Sequence, residues 1–202
     1  MKTLKLNFKN IAVIAIIATA VFAVSCDKDD DFITQEEASL KAGHVERPET
    51  SKALPPGDDP IAQIAIDNGF DSLVVALSYV DAELGTGLVN MFMYGKDQYT
   101  VFAPTNTAFE NLVGVDGKIS DLPASLVKDV LFYHVTEGRR ASNSVVPKNG
   151  TRTIETLLGE YFWVNPDLSI DAIGNSANIL AADISASNGI VHVIDTVILP
   201  IE

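Results

Sequence analysis

Several side chains in this 202-residue sequence have types and spacings that could do chemistry. Cys26 is the only cysteine, so its thiol has no partner within the chain and is open to modification or remains free. Tyr133 and His134 set a phenol beside an imidazole. Such a pair offers stacking and hydrogen bonds to a partner, or it is a half-buried structural pair where a helix feeds a core strand. His192 alternates with Ile190 and Ile194, which puts all three on one sheet face and favours a hydrogen-bonded imidazole at or near the core over a ligand. Tyr161 and Trp163 share one face of a short strand, with Phe162 on the other. Their face either belongs to the core or stacks on sugar rings.

Other chemistries lack their residues. Zinc needs three or four suitable ligands, and beyond residue 57 there are two histidines and no cysteine, so no metal is expected. There is no glycine-rich loop ending in Lys-Ser/Thr and no Gly-x-Ser-x-Gly elbow, and no cofactor is expected. Carboxylates such as Glu155 and Glu160 carry no acid or base role without geometry, and no catalytic residue is assigned. The net charge of −13, with 27 acidic against 14 basic residues, argues against nucleic acid as a partner, since that binding draws on Lys and Arg. It suits solubility at a crowded surface.

The elements that position these residues begin with an export signal over residues 1–25. Lys2, Lys5 and Lys9 precede an apolar run from Ile11 to Val24. Ala23-Val24-Ser25-Cys26 resembles the lipobox of bacterial lipoproteins. This implies diacylation of the Cys26 sulfur, cleavage before it and an anchor of several acyl chains, each CH₂ contributing about 0.8 kcal/mol. The run Asp27-Lys28-Asp29-Asp30-Asp31 resembles the export tag of Bacteroidetes surface lipoproteins, and the resemblance implies an outer-membrane location facing the exterior. A solvated linker start is the alternative. Residues 26–57 read as the lipidated cysteine and a flexible acidic tether.

From Asp58 to Glu202 the sequence reads as one domain. Asp59 before Pro60 predicts a capped helix ending at Gly69, and a second follows from Asp71 with a Leu73, Leu77, Val80, Leu84 stripe. A short helical piece runs from Leu88 to Met93. Tyr99–Ala103 is a strand closed by Pro104. Thr105 or Asn106 caps the next helix, and Ser120 caps another carrying Leu126, Val127, Val130 and Leu131. Tyr133-His134-Val135 reads as extended. Strands are expected at 153–158, 161–164, 168–172, 178–184 and 190–199, the last two joined by a positive-φ turn at Asn188-Gly189. Helices first and antiparallel strands later give an α+β class.

Thr100-Val101-Phe102-Ala103-Pro104-Thr105-Asn106-Thr107-Ala108-Phe109 resembles the first signature box of fasciclin-like domains. The run from Asn188 to Pro200 resembles the second. Leu131-Phe132-Tyr133-His134-Val135, with Gly138-Arg139 after it, resembles the Tyr-His motif between them. The link over residues 81–98 is longer than usual for the family. The resemblance implies a fasciclin-like β-wedge of two mainly antiparallel sheets with helices packed on one side. It further implies a cell-surface adhesion or interaction module without catalysis, with Tyr133 and His134 as the adhesion motif and an unknown surface protein or glycan as partner. The other reading is a glycan-binding accessory lipoprotein of a polysaccharide-uptake system, for which Trp163 would be the platform.

Overall fold

The computed structural model describes residues 55–201 except Val115; Cys26, the signal and most of the tether lie outside the described residues. Helix α1 (Ile61–Asp67) buries Ile61, Ala62, Ile64 and Ala65. The expected Asp59 cap does not form. Pro60 occupies the cap position without a side-chain bond, and the Ile61 N–H goes instead to Asn188 Oδ1 at 2.8 Å. At the other end Gly69 takes φ +70°, with Gly69 N–H on Ile66 O (3.1 Å) and Phe70 N–H on Ala65 O (2.9 Å). Those two bonds satisfy the last carbonyls of the helix, and the left-handed backbone they need selects glycine.

Helix α2 (Asp71–Leu84) buries Leu73, Ala76, Leu77 and Val80. Leu84, expected on that stripe, is exposed in the last turn. The long link that follows is ordered by one side chain. Asp81 accepts the Leu88 and Val89 N–H groups at 2.8 Å each and the Thr86 hydroxyl, so it caps α3 (Leu88–Tyr94) from outside the helix. Partial burial works to raise the Asp81 carboxyl, but these bonds outweigh it and hold it below its ordinary value. Thr105 caps α4 (Asn106–Val113) through Ala108 N–H. Ser120 does not act as a cap. It lies inside a 3-10 turn (Ile119–Asp121), and α5 (Ala124–Tyr133) starts from Pro123, whose missing N–H costs nothing there. Tyr133, expected to be extended, is helical and closes α5. A single-turn α6 covers Ser142–Val145.

Seven strands follow the order β2 (Val135–Glu137), β1 (Tyr99–Pro104), β7 (Gly189–Ile194), β6 (Ser176–Ala186), β5 (Ser169–Asp171), β4 (Tyr161–Val164) and β3 (Arg152–Glu155). The two signature segments lie side by side: β1 and β7 pair in parallel from Tyr99↔Gly189 to Pro104↔Ile194, and every other pairing is antiparallel. The strands therefore form one hydrogen-bonded series rather than two separate sheets. The long, bulged β6 belongs to both halves, pairing β5 at its start and β7 along its length.

The series curls over on itself. In a flat sheet β1 and β4, four strand spacings apart, would lie about 19 Å from each other. Phe102 of β1 nevertheless meets Phe162 of β4 edge-on with ring centroids 4.9 Å apart. The enclosed core holds Phe102, Tyr133, Ile154, Phe162, Val164, Ile170 and Ile194, and burying a side chain such as Phe162 contributes about 1.5–3 kcal/mol. Val101, Ala103, Val191 and Val193, on the opposite face of β1 and β7, pack against α1, α2, α3 and α5 in a second core.

The β6–β7 turn corrects another expectation. Neither Asn188 nor Gly189 takes a positive φ. Gly189 is required by a close approach: a Cβ there would sit 2.0 Å from Tyr99 O and 2.7 Å from Ile61 Cδ1. Asn188 is buried and links two helices, accepting Ile61 N–H and donating to Phe92 O at 2.9 Å.

Candidate functional site

The Tyr-His pair lies at the end of α5, inside the molecule. Tyr133 is 0% and His134 2% exposed, so neither ring is presented to a partner in this fold, which corrects their reading as an adhesion surface. Tyr133 fills the enclosed core, and its hydroxyl donates to Tyr161 O at 2.8 Å and accepts Ile173 N–H at 3.3 Å. His134 Nδ1 lies 2.7 Å from Val130 O, and Nε2 accepts Ile198 N–H at 3.1 Å. Those partners fix one neutral tautomer, with the proton on Nδ1. Burial pushes the imidazole down to about 4, against a smaller opposing effect of the Val130 carbonyl. The pair joins α5 to β4 and to the segment after β7.

His192 is also fully buried, with its ring 5.4 Å from that of Phe102. Its Nδ1 accepts Asp183 N–H at 3.3 Å and its Nε2–H donates to Arg140 O at 3.0 Å, while burial lowers its pKa. Ser142 and Asp183 are close by, but the Ser142 hydroxyl bonds to the Asp183 carboxylate and not to the imidazole. With both nitrogens engaged by backbone groups, His192 cannot take a proton from Ser142 in this arrangement. Among the described residues no group of three His, Cys, Asp or Glu is placed to hold a metal, and no helix is long and apolar enough to cross a membrane.

Arg139 is a residue whose role the sequence did not reveal. Its guanidinium donates to Ala186 O at 2.7 Å, to Gly189 O and Pro55 O, and to the Ser185 hydroxyl. Gly57 N–H adds a bond to Ala186 O at 3.2 Å. Residues 55–57, expected in the tether, are thus clamped along the β6–β7 hairpin by Arg139.

The aromatic candidates outside the core behave differently. On β4 Phe162 points inward at 0% exposure, while Tyr161 and Trp163 point outward at 42% and 39%. Register puts Tyr161 opposite Glu155 and Trp163 between Thr153 on β3 and Asp171 on β5. The outer face of this half of the sheet therefore carries two half-exposed rings bordered by carboxylates and hydroxyls. Asn165 holds the Asp171 carboxylate at 2.8 Å, which stiffens that border. Rings supported by a strand and edged with hydrogen-bonding groups can stack on an apolar ring face and bind its polar rim at once.

Comparison with known proteins matches a family model, the fasciclin domain, to residues 74–200. The immunogenic protein MPB70 of Mycobacterium bovis is 34% identical over 143 residues, covering 70% of this chain and 69% of that protein. Protein sll1483 of a Synechocystis species is 33% identical over 173 residues, covering 83% and 86%. The cell surface glycolipoprotein MPB83 of Mycobacterium bovis is 30% identical over 147 residues, covering 70% of this chain and 61% of that protein. Among solved structures, a FAS1 domain pair from the insect cell adhesion molecule Fasciclin I aligns with a TM-score of 0.38 at 19% identity, over 68% of this chain and 43% of the other.

Proposed function

Because this chain belongs to the fasciclin domain family, we propose that it is a lipid-anchored adhesion or interaction module of the cell surface that works by binding rather than by catalysis. The observation that carries this reading is the division of labour among its conspicuous side chains. The histidines of the domain and Tyr133 are spent on internal hydrogen bonds, whereas Tyr161 and Trp163 are left outward on a rigid sheet face. A buried imidazole with both nitrogens engaged supports the fold; an exposed aromatic pair is available to a partner.

Display follows from the N-terminal segment. A diacylated Cys26 holds the chain in the outer membrane, and the acidic tether lifts the domain toward the exterior. The similarity to MPB83, a cell surface glycolipoprotein, supports this part of the reading. The acidic balance excludes nucleic acid from the proposed partners and leaves a surface protein or glycan.

Deletion of the gene is the first test. Loss of cell attachment to a matrix-coated surface, restored by the wild-type chain but not by Cys26→Ala, is the expected result. Unchanged attachment on deletion refutes the reading. The second reading, a glycan-binding accessory of a polysaccharide-uptake system, is favoured by the exposure of Trp163. It predicts saturable, Trp163-dependent binding to soluble polysaccharide and slower growth on that polysaccharide in the deletion strain.

A further inference from the structure

The sheet order leaves β2 at one end and β3 at the other, and the curl brings these two ends toward each other without pairing them. A single backbone bond, Leu157 N–H to Val135 O at 2.8 Å, crosses the seam. Beside it opens a polar cavity of about 380 Å³, lined by Thr136, Glu137 and Arg140 on the β2 side and Glu155, Thr156 and Leu157 on the β3 side. That volume lies within the range of about 300–1,000 Å³ occupied by small-ligand clefts.

The cavity is organised from behind. Arg140 N–H is received by the buried Thr100 hydroxyl at 2.8 Å, Arg140 O accepts from buried His192, and its Nε–H donates to Glu137 O at 3.1 Å. Two buried polar side chains thus hold the backbone of one rim residue. Its guanidinium forms no ion pair with a described carboxylate, although Glu137 and Glu155 line the same space. Thr136, on the wall, carries the one buried side-chain polar atom without a partner among the described residues, its Oγ1. That atom has almost no accessible surface, so it lies behind the cavity wall, and the contacts offered to a guest come from Glu137, Arg140 and Glu155.

Two carboxylates against one guanidinium give the cavity a net negative charge, which disfavours anions. Two acceptor carboxylates and a guanidinium fork around an uncharged guest suit a ring bearing hydroxyls, because charge-assisted bonds to hydroxyls are strong. Glu155 is the register partner of Tyr161, so the cavity adjoins the outward Tyr161–Trp163 strip. We infer that the β2–β3 seam is a binding site for one sugar unit of a neutral glycan, whose next unit stacks on Tyr161 and Trp163. This deepens the interaction-module reading and rests on it.

The test is isothermal titration and amide NMR of the full chain against neutral cello-, xylo-, manno- and malto-oligosaccharides, with polygalacturonate as the anionic comparison. The expected result is saturable binding of at least one neutral oligosaccharide. Shifts should fall at residues 136–140 and 155–161, and affinity should drop about tenfold or more in Glu155→Gln, Arg140→Gln and Trp163→Ala, each still folded by its amide spectrum. Binding that survives Glu155→Gln and Arg140→Gln but not Trp163→Ala overturns the seam site and leaves the aromatic face as a glycan platform. Binding of polygalacturonate alone, or of no saccharide while the deletion strain still loses attachment, overturns the neutral-glycan site and leaves a protein partner.

Discussion

Acid should weaken this domain through His134 as the pH falls below about 6.5. In the unfolded chain the imidazole ionises near 6.5; in the folded chain burial lowers it to about 4. Between these values the unfolded chain binds the extra proton and the native state does not. The contribution is therefore intact above about pH 6.5 and is lost as the pH falls toward 4. At about 1.36 kcal/mol per pH unit the gap is worth about 3 kcal/mol, a large part of the 5–15 kcal/mol typical of a domain. His192, also lowered by burial, acts in the same direction. Asp81 and Asp195, both held below their ordinary value of 3.8, keep their contribution above that value and lose it as the pH falls further. The assay is the urea midpoint from pH 7.5 to pH 4 for wild type and His134→Asn. With a slope of about 1–3 kcal/mol per molar urea, the wild-type midpoint should fall by about 1–3 M. The variant starts lower at neutral pH, because Ile198 N–H loses its acceptor, and falls less steeply. A wild-type midpoint that stays flat from 6.5 to 4, or equal slopes in both proteins, would refute the reasoning.

Other expectations follow from single contacts. Gly189→Ala drives a methyl into Tyr99 O and should cost about 3 kcal/mol or more, read as a lowered thermal midpoint with the β1–β7 amides most perturbed. Asn188→Ala strands Ile61 N–H and Phe92 O and should cost about 2–4 kcal/mol in urea unfolding, with faster hydrogen exchange in α1. Arg139→Ala should leave global stability within about 1–2 kcal/mol but accelerate proteolysis near Pro55, where the clamp on residues 55–57 is released. Trp163→Ala, by contrast, should lower stability by only about 1–2 kcal/mol, its ring being half-exposed on the outer sheet face.

Much of this architecture was legible because it rests on local signals. The stripe of α2, the cap at Thr105, the glycine stop at Gly69 and the alternation of Tyr161, Phe162 and Trp163 all act within a few residues. What escaped depends on partners far away in sequence. Asp59 and Ser120 look like caps, but Ile61 N–H is taken by Asn188 and α5 is opened by Pro123. Asn188-Gly189 looks like a positive-φ turn, yet each residue is there for a contact across the fold. The burial of Tyr133 and His134 was undecidable from alternation alone, since it follows from α5 running one residue further and from the curl that brings β4 and the segment after β7 over their rings. Arg139 and the seam cavity had no local signature, because both are made by the closure of the sheet.

The most direct test of the account is attachment of cells carrying His134→Asn or Trp163→Ala, compared with wild type at pH 7.5 and at matched surface abundance. If the outer sheet face does the binding and the Tyr-His pair only supports the fold, His134→Asn cells attach like wild type and Trp163→Ala cells detach. Full attachment with Trp163→Ala, together with loss in a folded His134→Asn protein, would contradict it.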